Sequence, residues 1–310
     1  MLWLVWRQHR WQLLTVAAVT AAYCGYLIWV AWGVPAAIDE CRTLGGACDA
    51  FNLAKSRWDS AILVGNLLPL AAGVFWGAPL LAREVEQGTI RLVLTQSVSR
   101  RGWLSVKLGV LAAAAGVFGV AVGLTVSWAA PRLGSLSNDW PFGNDVLFSQ
   151  AGVVPVATWV CALLVGAALG AGVRRLMPTV AVTLAVLVLG FAGLVALRPH
   201  LIPPVVAVAG AERMMPDPWF EASERGWLYR VSYLDSGGRE LTSTTAGELC
   251  ADPANSYPTA ECLARTGLRQ RAVYQPLDRY VWFQAAEAGL LLVVSAGLAL
   301  AIRRRLVNAV

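Results

Sequence analysis

Six apolar runs, each about as long as a bilayer is thick, alternate with short polar stretches along the chain. They cover residues 11–32, 60–81, 108–130, 151–173, 177–197 and 281–302. About 20 consecutive apolar residues cross a hydrocarbon core of roughly 30 Å, so each run predicts a transmembrane helix. The first run holds no charge over 22 residues. A signal peptide has a shorter apolar core of about 7–15 residues, so this run reads as an uncleaved span. The second contains Asn66, with Pro69 and Pro79 as kink sites. Proline is tolerated within a span where neighbouring helices or waters satisfy the freed carbonyl.

The polar pieces set the orientation. Arg7, Arg10, Arg83, Arg91, Arg100, Arg101, Lys107, Arg174, Arg175 and Arg303 to Arg305 fall on one set of connections. The two short opposite loops, 35–58 and 131–150, hold only Arg42, Lys55, Arg57 and Arg132. Basic residues in short loops favour the cytoplasmic side, which puts both termini inside. The expected fold class is an all-α polytopic membrane protein with six transmembrane helices and a small α+β extracellular segment between spans five and six. The expected organisation is residues 1–10 as a cytoplasmic interfacial helix, or simply as a basic start to the first span. Spans one to five follow over 11–197, with a cytoplasmic segment at 83–107. The extracellular segment covers 198–279, and the sixth span with its basic tail covers 280–310.

In that segment, Trp227, Tyr229, Val231 and Tyr233 alternate with Leu228, Arg230 and Ser232, a strand pattern. Asp235-Ser236-Gly237-Gly238 signals a turn, after which 239–244 returns as a second strand. Residues 258–266 read as a short helix ended by Gly267.

Composition agrees with a bilayer setting. Only 14% of residues are charged, against roughly 25% in globular domains. The net charge of +6 is explained by cytoplasmic-side arginine, so no nucleic-acid partner is expected. Cys24 and Cys161 lie inside spans as packed thiols, while Cys41, Cys48, Cys250 and Cys262 face an oxidising space. Of the three pairings that four cysteines allow, the local ones, Cys41–Cys48 and Cys250–Cys262, are favoured over cross-linking of the two loops. No metal site is expected, because the chain has only two His, His9 and His200, far apart.

Most catalytic chemistry is missing. A phosphate-binding loop needs Gly-x-x-x-x-Gly-Lys-Ser/Thr, and neither lysine, Lys55 nor Lys107, follows a glycine. The chain also has no His-Glu-x-x-His and no Gly-x-Ser-x-Gly. The Gly73/Gly77, Gly119/Gly123 and Gly166/Gly170 pairs bring helices close, either within one chain or at a dimer seam.

Between spans two and three lies Arg83-Glu84-Val85-Glu86-Gln87-Gly88-Thr89-Ile90-Arg91. Charge at the bilayer centre costs several kcal/mol, so Glu84, Glu86 and Arg91 belong at the span end. Gly88 permits a backbone turn and Thr89 can cap a following helix. By spacing alone this is an interfacial loop helix.

Glu84, Glu86, Gly88, Thr89, Arg100 and Lys107, with the short apolar run between them, resemble the permease subunits of type-two ABC exporters. The match departs at Ser97, where the family commonly has Pro. Tyr274-Gln275-Pro276, Asp278-Arg279-Tyr280, Trp282-Phe283-Gln284 and Glu287, and the opening Trp6-Arg7-Gln8-His9-Arg10, are similar to an actinobacterial group of such permeases. The resemblance implies that Glu84, Glu86, Gly88, Thr89, Arg91 and Arg100 couple to a separate ATP-binding subunit, present in two copies. It implies a second permease subunit, identical or a close relative, in the lipid of a bacterial plasma membrane. ATP and Mg would bind the partner, with no cofactor in this chain, and the cargo would be a hydrophobic or amphipathic compound moved outward. The rival reading is a sensor or assembly protein acting through its extracellular segment.

Inside the sixth span, Glu287 is expected either to line the translocation path with Asn66, which lies at similar depth and can donate to it, or to stay hydrated near the outer headgroups. A structural pair with an arginine of the outer segment, such as Arg279, is the third option.

Overall fold

The computed structural model describes residues 2–43, 49–86, 100–137, 141–173, 175–210, 226–250 and 260–308. Among these, six helical stretches are long and apolar enough to cross a membrane. They comprise the first span (Leu2–Thr43), the second (Asp49–Gly65, Leu67–Ala71, Ala72–Gly77 and Ala78–Glu86), the third (Arg100–Ser137), the fourth (Val154–Val173), the fifth (Leu176–Leu197) and the sixth (Tyr280–Asn308). The chain is a polytopic, mainly helical membrane protein with a small sheet.

The helices are longer than the apolar runs. The connection expected as a polar loop at 35–58 is largely helix, since the first span continues through Pro35 to Thr43 and the second begins at Asp49. Pro35 removes one intrahelical hydrogen bond. That loss is outweighed by packing, because Val30, Ala31 and Val34 share a buried cluster with Trp58, Ala61 and Ile62.

The second span is interrupted at Asn66 and at Ala72–Gly77, whereas the expected kink sites Pro69 and Pro79 lie inside the α-helical pieces Leu67–Ala71 and Ala78–Glu86. The Asn66 side-chain amide donates to Ile62 O at 3.0 Å, and the helix restarts at Leu67 with Pro69 inside its first turn. Residues Ala72–Gly77 form a π-helical turn, in which Ala78 N–H reaches back to Gly73 O. Pro79 follows and has no N–H to compete for the carbonyls one turn back.

Chain folding divides into two compact units. In the first, which holds the spans, the centre is the second and fourth helices, whose most apolar windows are 56% and 61% buried, against 11% for the fifth. The glycine pairs create that centre. A Cβ at Gly73 would stand 2.6 Å from Ala162 O, and one at Gly77 2.5 Å from Leu163 O. Across the same seam, Gly170 faces Ala78 O at 2.5 Å and Gly166 faces Gly73 O. Gly119 of the third span faces Pro155 O at 2.7 Å, and Gly123 faces Gly152 O. All three Gly-x-x-x-Gly pairs therefore meet within one chain, with the fourth span as their common partner.

The second unit spans Gly134–Asp145 and His200–Phe283. It holds an antiparallel sheet of β1 (Val205–Ala209), β2 (Trp227–Leu234), β3 (Glu240–Leu241) and β4 (Arg269–Gln275), in the order β1-β4-β2-β3. The β2–β3 hairpin pairs Tyr233 with Leu241, but the return strand expected over 239–244 is only Glu240–Leu241, because a helix starts at Ser243 with Thr242 Oγ1 accepting the Thr245 N–H. The Asp235 carboxylate accepts the Arg239 N–H at 2.8 Å, and Gly238 takes φ +79° to close the turn. The central strand β4 was not foreseen, because Arg269, Gln270 and Arg271 mask its period. Cys250 and Cys262 are joined by a disulfide with Cα atoms 5.6 Å apart, tying helix Ser243–Cys250 to helix Ala260–Thr266. Gly267 at φ +67° ends the latter. Cys41 is disulfide-bonded, and Cys48 lies outside the described residues. Cys24 and Cys161 are free thiols.

Candidate functional site

The polar motif after the second span supplies two carboxylates that tie helix ends together. Glu84 is on the last turn of Ala78–Glu86. Its Oε1 accepts from Gln8 Nε2 of the first span at 3.0 Å and pairs with Lys107 Nζ of the third. Lys107 is fully buried, and its ammonium lies 5.0 Å from the Trp103 ring centre. An ammonium this desolvated requires an anion, and Glu84 supplies it. His9 is also buried nearby and bonds Gln12 Oε1 through Nδ1 at 2.8 Å.

Glu86 does a different job. Its Oε2 accepts the backbone N–H of Leu176, the first residue of the fifth span, at 3.1 Å. The residue before that helix, Arg175, makes no side-chain cap of its own. A carboxylate at a helix N-terminus satisfies an orphan N–H and complements the helix dipole. The two glutamates thus link the end of the second span to the first, third and fifth. Gly88, Thr89 and Arg91 lie outside the described residues, and Arg100 is the first residue of the third helix.

A second polar cluster sits at the other end of the spans. Arg198, directly after the fifth helix, and Glu287 of the sixth are 1% and 0% exposed. Arg198 Nε donates to Glu287 Oε2 at 2.8 Å and Nη2 to Oε1 at 3.0 Å, a two-pronged pair. Nη2 also donates to Ser149 Oγ at 3.0 Å, and the guanidinium lies 4.2 Å over the Phe148 ring. One turn earlier, Gln284 Oε1 accepts the N–H groups of Val153 and Val154 at 3.0 and 3.2 Å, capping the fourth span. Gln150 donates to Ile62 O and accepts from Tyr23 OH.

The partner of Glu287 is therefore Arg198. Arg279 instead donates to Pro203 O and Gln275 Oε1. Asn66 does not reach Glu287, since its amide donates to Ile62 O and, at 3.3 Å, to Val146 O. Sequence reasoning offered an arginine of the outer segment, 198–279, and named Arg279 as the example, whereas the partner is Arg198, at the segment's first position. Its position at the end of the fifth span, with an unpaired acid in the sixth, was the available signal. Gln150 and Gln284 carried no signal beyond their polarity near span ends.

A family model described as ABC-2 membrane transporter related matches residues 16–198, which is more than half of the chain and runs from within the first span to the end of the fifth. No curated protein and no solved structure matches the chain. Proteins of this family are the membrane component of ABC transport, without an ATPase domain of their own, and associate with an ABC ATP-binding subunit. With the glutamate-bearing segment and its span ends inside the matched region, the chain belongs to the ABC-2 membrane transporter related family.

Proposed function

We propose that the chain is the permease subunit of an ATP-driven exporter of hydrophobic or amphipathic compounds in a bacterial plasma membrane. The segment 83–107 is its cytoplasmic coupling element, on which a separate ATP-binding subunit docks. Two such subunits, binding ATP and Mg, serve a pair of permeases, identical or closely related. The observation that carries this reading is the double anchor of the motif: Glu84 on Gln8 and Lys107, and Glu86 on Leu176 N–H. A push on residues 87–99 is delivered through these contacts to the ends of four spans at once. An interfacial loop without a coupling role has no need of that wiring. In the same reading Glu287 and Asn66 stand beside the outward end of the path, Glu287 as the anion of a neutral pair with Arg198.

The test is to co-express the chain with its ATP-binding subunit and compare Glu84→Arg and Gly88→Trp with wild type. Both variants are expected to insert normally, yet to lose more than tenfold in permease-stimulated ATPase activity. Unchanged stimulation in both would overturn the coupling assignment. The orientation is checked by labelling single cysteines. Ser236→Cys is expected to react from outside intact cells and Gln96→Cys only after permeabilisation; reaction of both from one side would reverse or break the proposed topology.

A further inference from the structure

Exposed tryptophans on the first helix mark where the bilayer core ends. From Trp11 to Trp29 and to Trp32 the helix rises about 27 and 32 Å. The hydrocarbon core is roughly 30 Å thick, and tryptophan gathers at its two faces. The helix nevertheless runs on to Thr43, and the next begins at Asp49, so the two project past the core at the end far from Glu84. Along their seam lies an open groove of about 370 Å³, within the roughly 300–1,000 Å³ of small-molecule sites. Gly33 and Ala37 of the first helix and Ala50 and Ala54 of the second line it, and a Cβ at Gly33 would meet no atom within 4 Å. Trp29, Trp32 and Arg57 line the end nearest the core. Arg57 is exposed, its guanidinium lies 5.3 Å from the Trp29 ring centre, and no carboxylate pairs with it among the described residues. Asp59, two positions on, is held by Lys55 at 3.0 Å. Trp32 also meets Trp128 of the third span, with ring centres 6.3 Å apart, and Arg132 lies over the Trp128 ring at 3.8 Å. The other acids of these helix ends, Asp39, Glu40 and Asp49, stand about 12–16 Å farther out along the helices.

We infer that this groove seats the headgroup of a net-anionic phospholipid, with Arg57 on the phosphate and the Trp29 and Trp32 indoles against the glycerol and first chain carbons. Height brings the two together. The headgroup layer extends about 5–8 Å past the core, and the groove opens at that level, directly beyond the two indoles. An arginine fork matches two phosphate oxygens, and its charge is met by no protein acid there. The indoles decide for lipid over a soluble anion. They offer apolar surface where a phospholipid carries its ester and upper chain, which a free phosphate would leave uncovered. Charge decides among lipids. At this height Lys55 and Asp59 cancel, which leaves Arg57 and Arg132 as a positive rim. Such a rim favours an anionic headgroup over a zwitterionic one, which brings its own cation. The acids farther out lie beyond the headgroup layer. This site stands whether or not the chain exports a compound.

The probe is phosphatidylglycerol carrying a diazirine on an acyl carbon close to its ester. The full-length chain is reconstituted in phosphatidylcholine nanodiscs without any ATP-binding subunit, so failure here is separate from failure of the export reading. Cross-links are expected to map to residues 29–33 and 54–57. They should be about tenfold more abundant than with the same diazirine on phosphatidylcholine, a ratio equal to roughly 1.4 kcal/mol. Arg57→Gln should bring that ratio to about one, while Arg57→Lys keeps part of it. Gly33→Leu fills the groove and keeps the charge, and open space around Gly33 lets it fold. It should lower phosphatidylglycerol labelling to the phosphatidylcholine level of wild type. Arg304→Gln, an exposed arginine at the far end of the sixth span, should leave labelling unchanged. Equal labelling by the two lipids, or a ratio that ignores Arg57→Gln and Gly33→Leu or falls as far with Arg304→Gln, would overturn the inference. So would displacement of the probe by water-soluble glycerol phosphate, or cross-links that tie this groove to a second copy of the chain.

Discussion

Replacing Glu287 by Leu strands a guanidinium in the interior of the span bundle. Arg198 is 1% exposed and Glu287 0%, and the pair shares hydrogen bonds of 2.8 and 3.0 Å. Arginine stays charged when buried. Removing one member of a buried pair costs about 3–5 kcal/mol. The contacts of Arg198 to Ser149 and Phe148 survive the change and hold the loss near the lower end of that range. Glu287→Gln keeps one acceptor oxygen but not the charge, so it is expected to cost about 2–3 kcal/mol, the worth of a hydrogen bond to a charged group. The double variant Arg198→Met with Glu287→Leu removes both charges and fills the volume with apolar atoms. Buried pairs replaced in this way are often neutral or more stable, so the double variant is expected within about 1 kcal/mol of wild type. Reversible unfolding in mixed micelles of rising dodecyl sulfate fraction, followed by far-ultraviolet circular dichroism, measures wild type, the two Glu287 variants, the Arg198→Met single variant and the double variant. The expected coupling energy is about 3 kcal/mol. A Glu287→Leu variant within about 1 kcal/mol of wild type, or a double variant as unstable as the sum of the singles, would refute the ion pair as described.

Other consequences are read from packing and cross-links. Gly166→Val places branched carbons against Gly73 O and Ala78 N, at the seam of the second and fourth spans, and is expected to abolish folding or cost more than about 3 kcal/mol in the same assay; Gly190→Val, with open space around it, is expected to be silent. Equal behaviour of the two would refute the seam. Reduction of Cys250–Cys262, which are 12 residues apart, is expected to lower the stability of the second unit by about 2–3 kcal/mol. Peptide mapping without reductant should recover that bridge, and a Cys250–Cys41 peptide would contradict it.

The six spans were legible because each is a run of apolar residues long enough to be read without knowing its partners. Helix ends were not. Pro35 ends a helix by local propensity, but the Val30–Val34 face finds Trp58 and Ile62 to pack against, and that gain depends on a second helix. The glycine pairs announced close helix contacts, while their convergence on the fourth span depended on which faces met. In the polar motif, Glu84 and Lys107 were each singled out, 23 residues apart, without any sign that they bond to each other. Glu287 was recognised as an acid at depth, but its partner was misjudged, because a charge at the edge of an apolar run looks solvated until the helix end is seen to be buried. Strand β4 was hidden by its arginines, which sit at exposed and half-buried positions of a sheet with little apolar cover.

The most direct test of the account is whether this chain takes up and stimulates an ATP-binding subunit through residues 83–107. The permease is reconstituted in nanodiscs with its ABC ATP-binding subunit, and binding and ATP turnover are measured for wild type and Gly88→Trp. A stable complex is expected, whose ATPase rate exceeds that of the free subunit and falls back to the free rate in the variant, with the ties of Glu84 to Lys107 and of Glu86 to Leu176 intact. Failure to bind any ATP-binding subunit, or a complex whose turnover ignores Gly88→Trp, would contradict it.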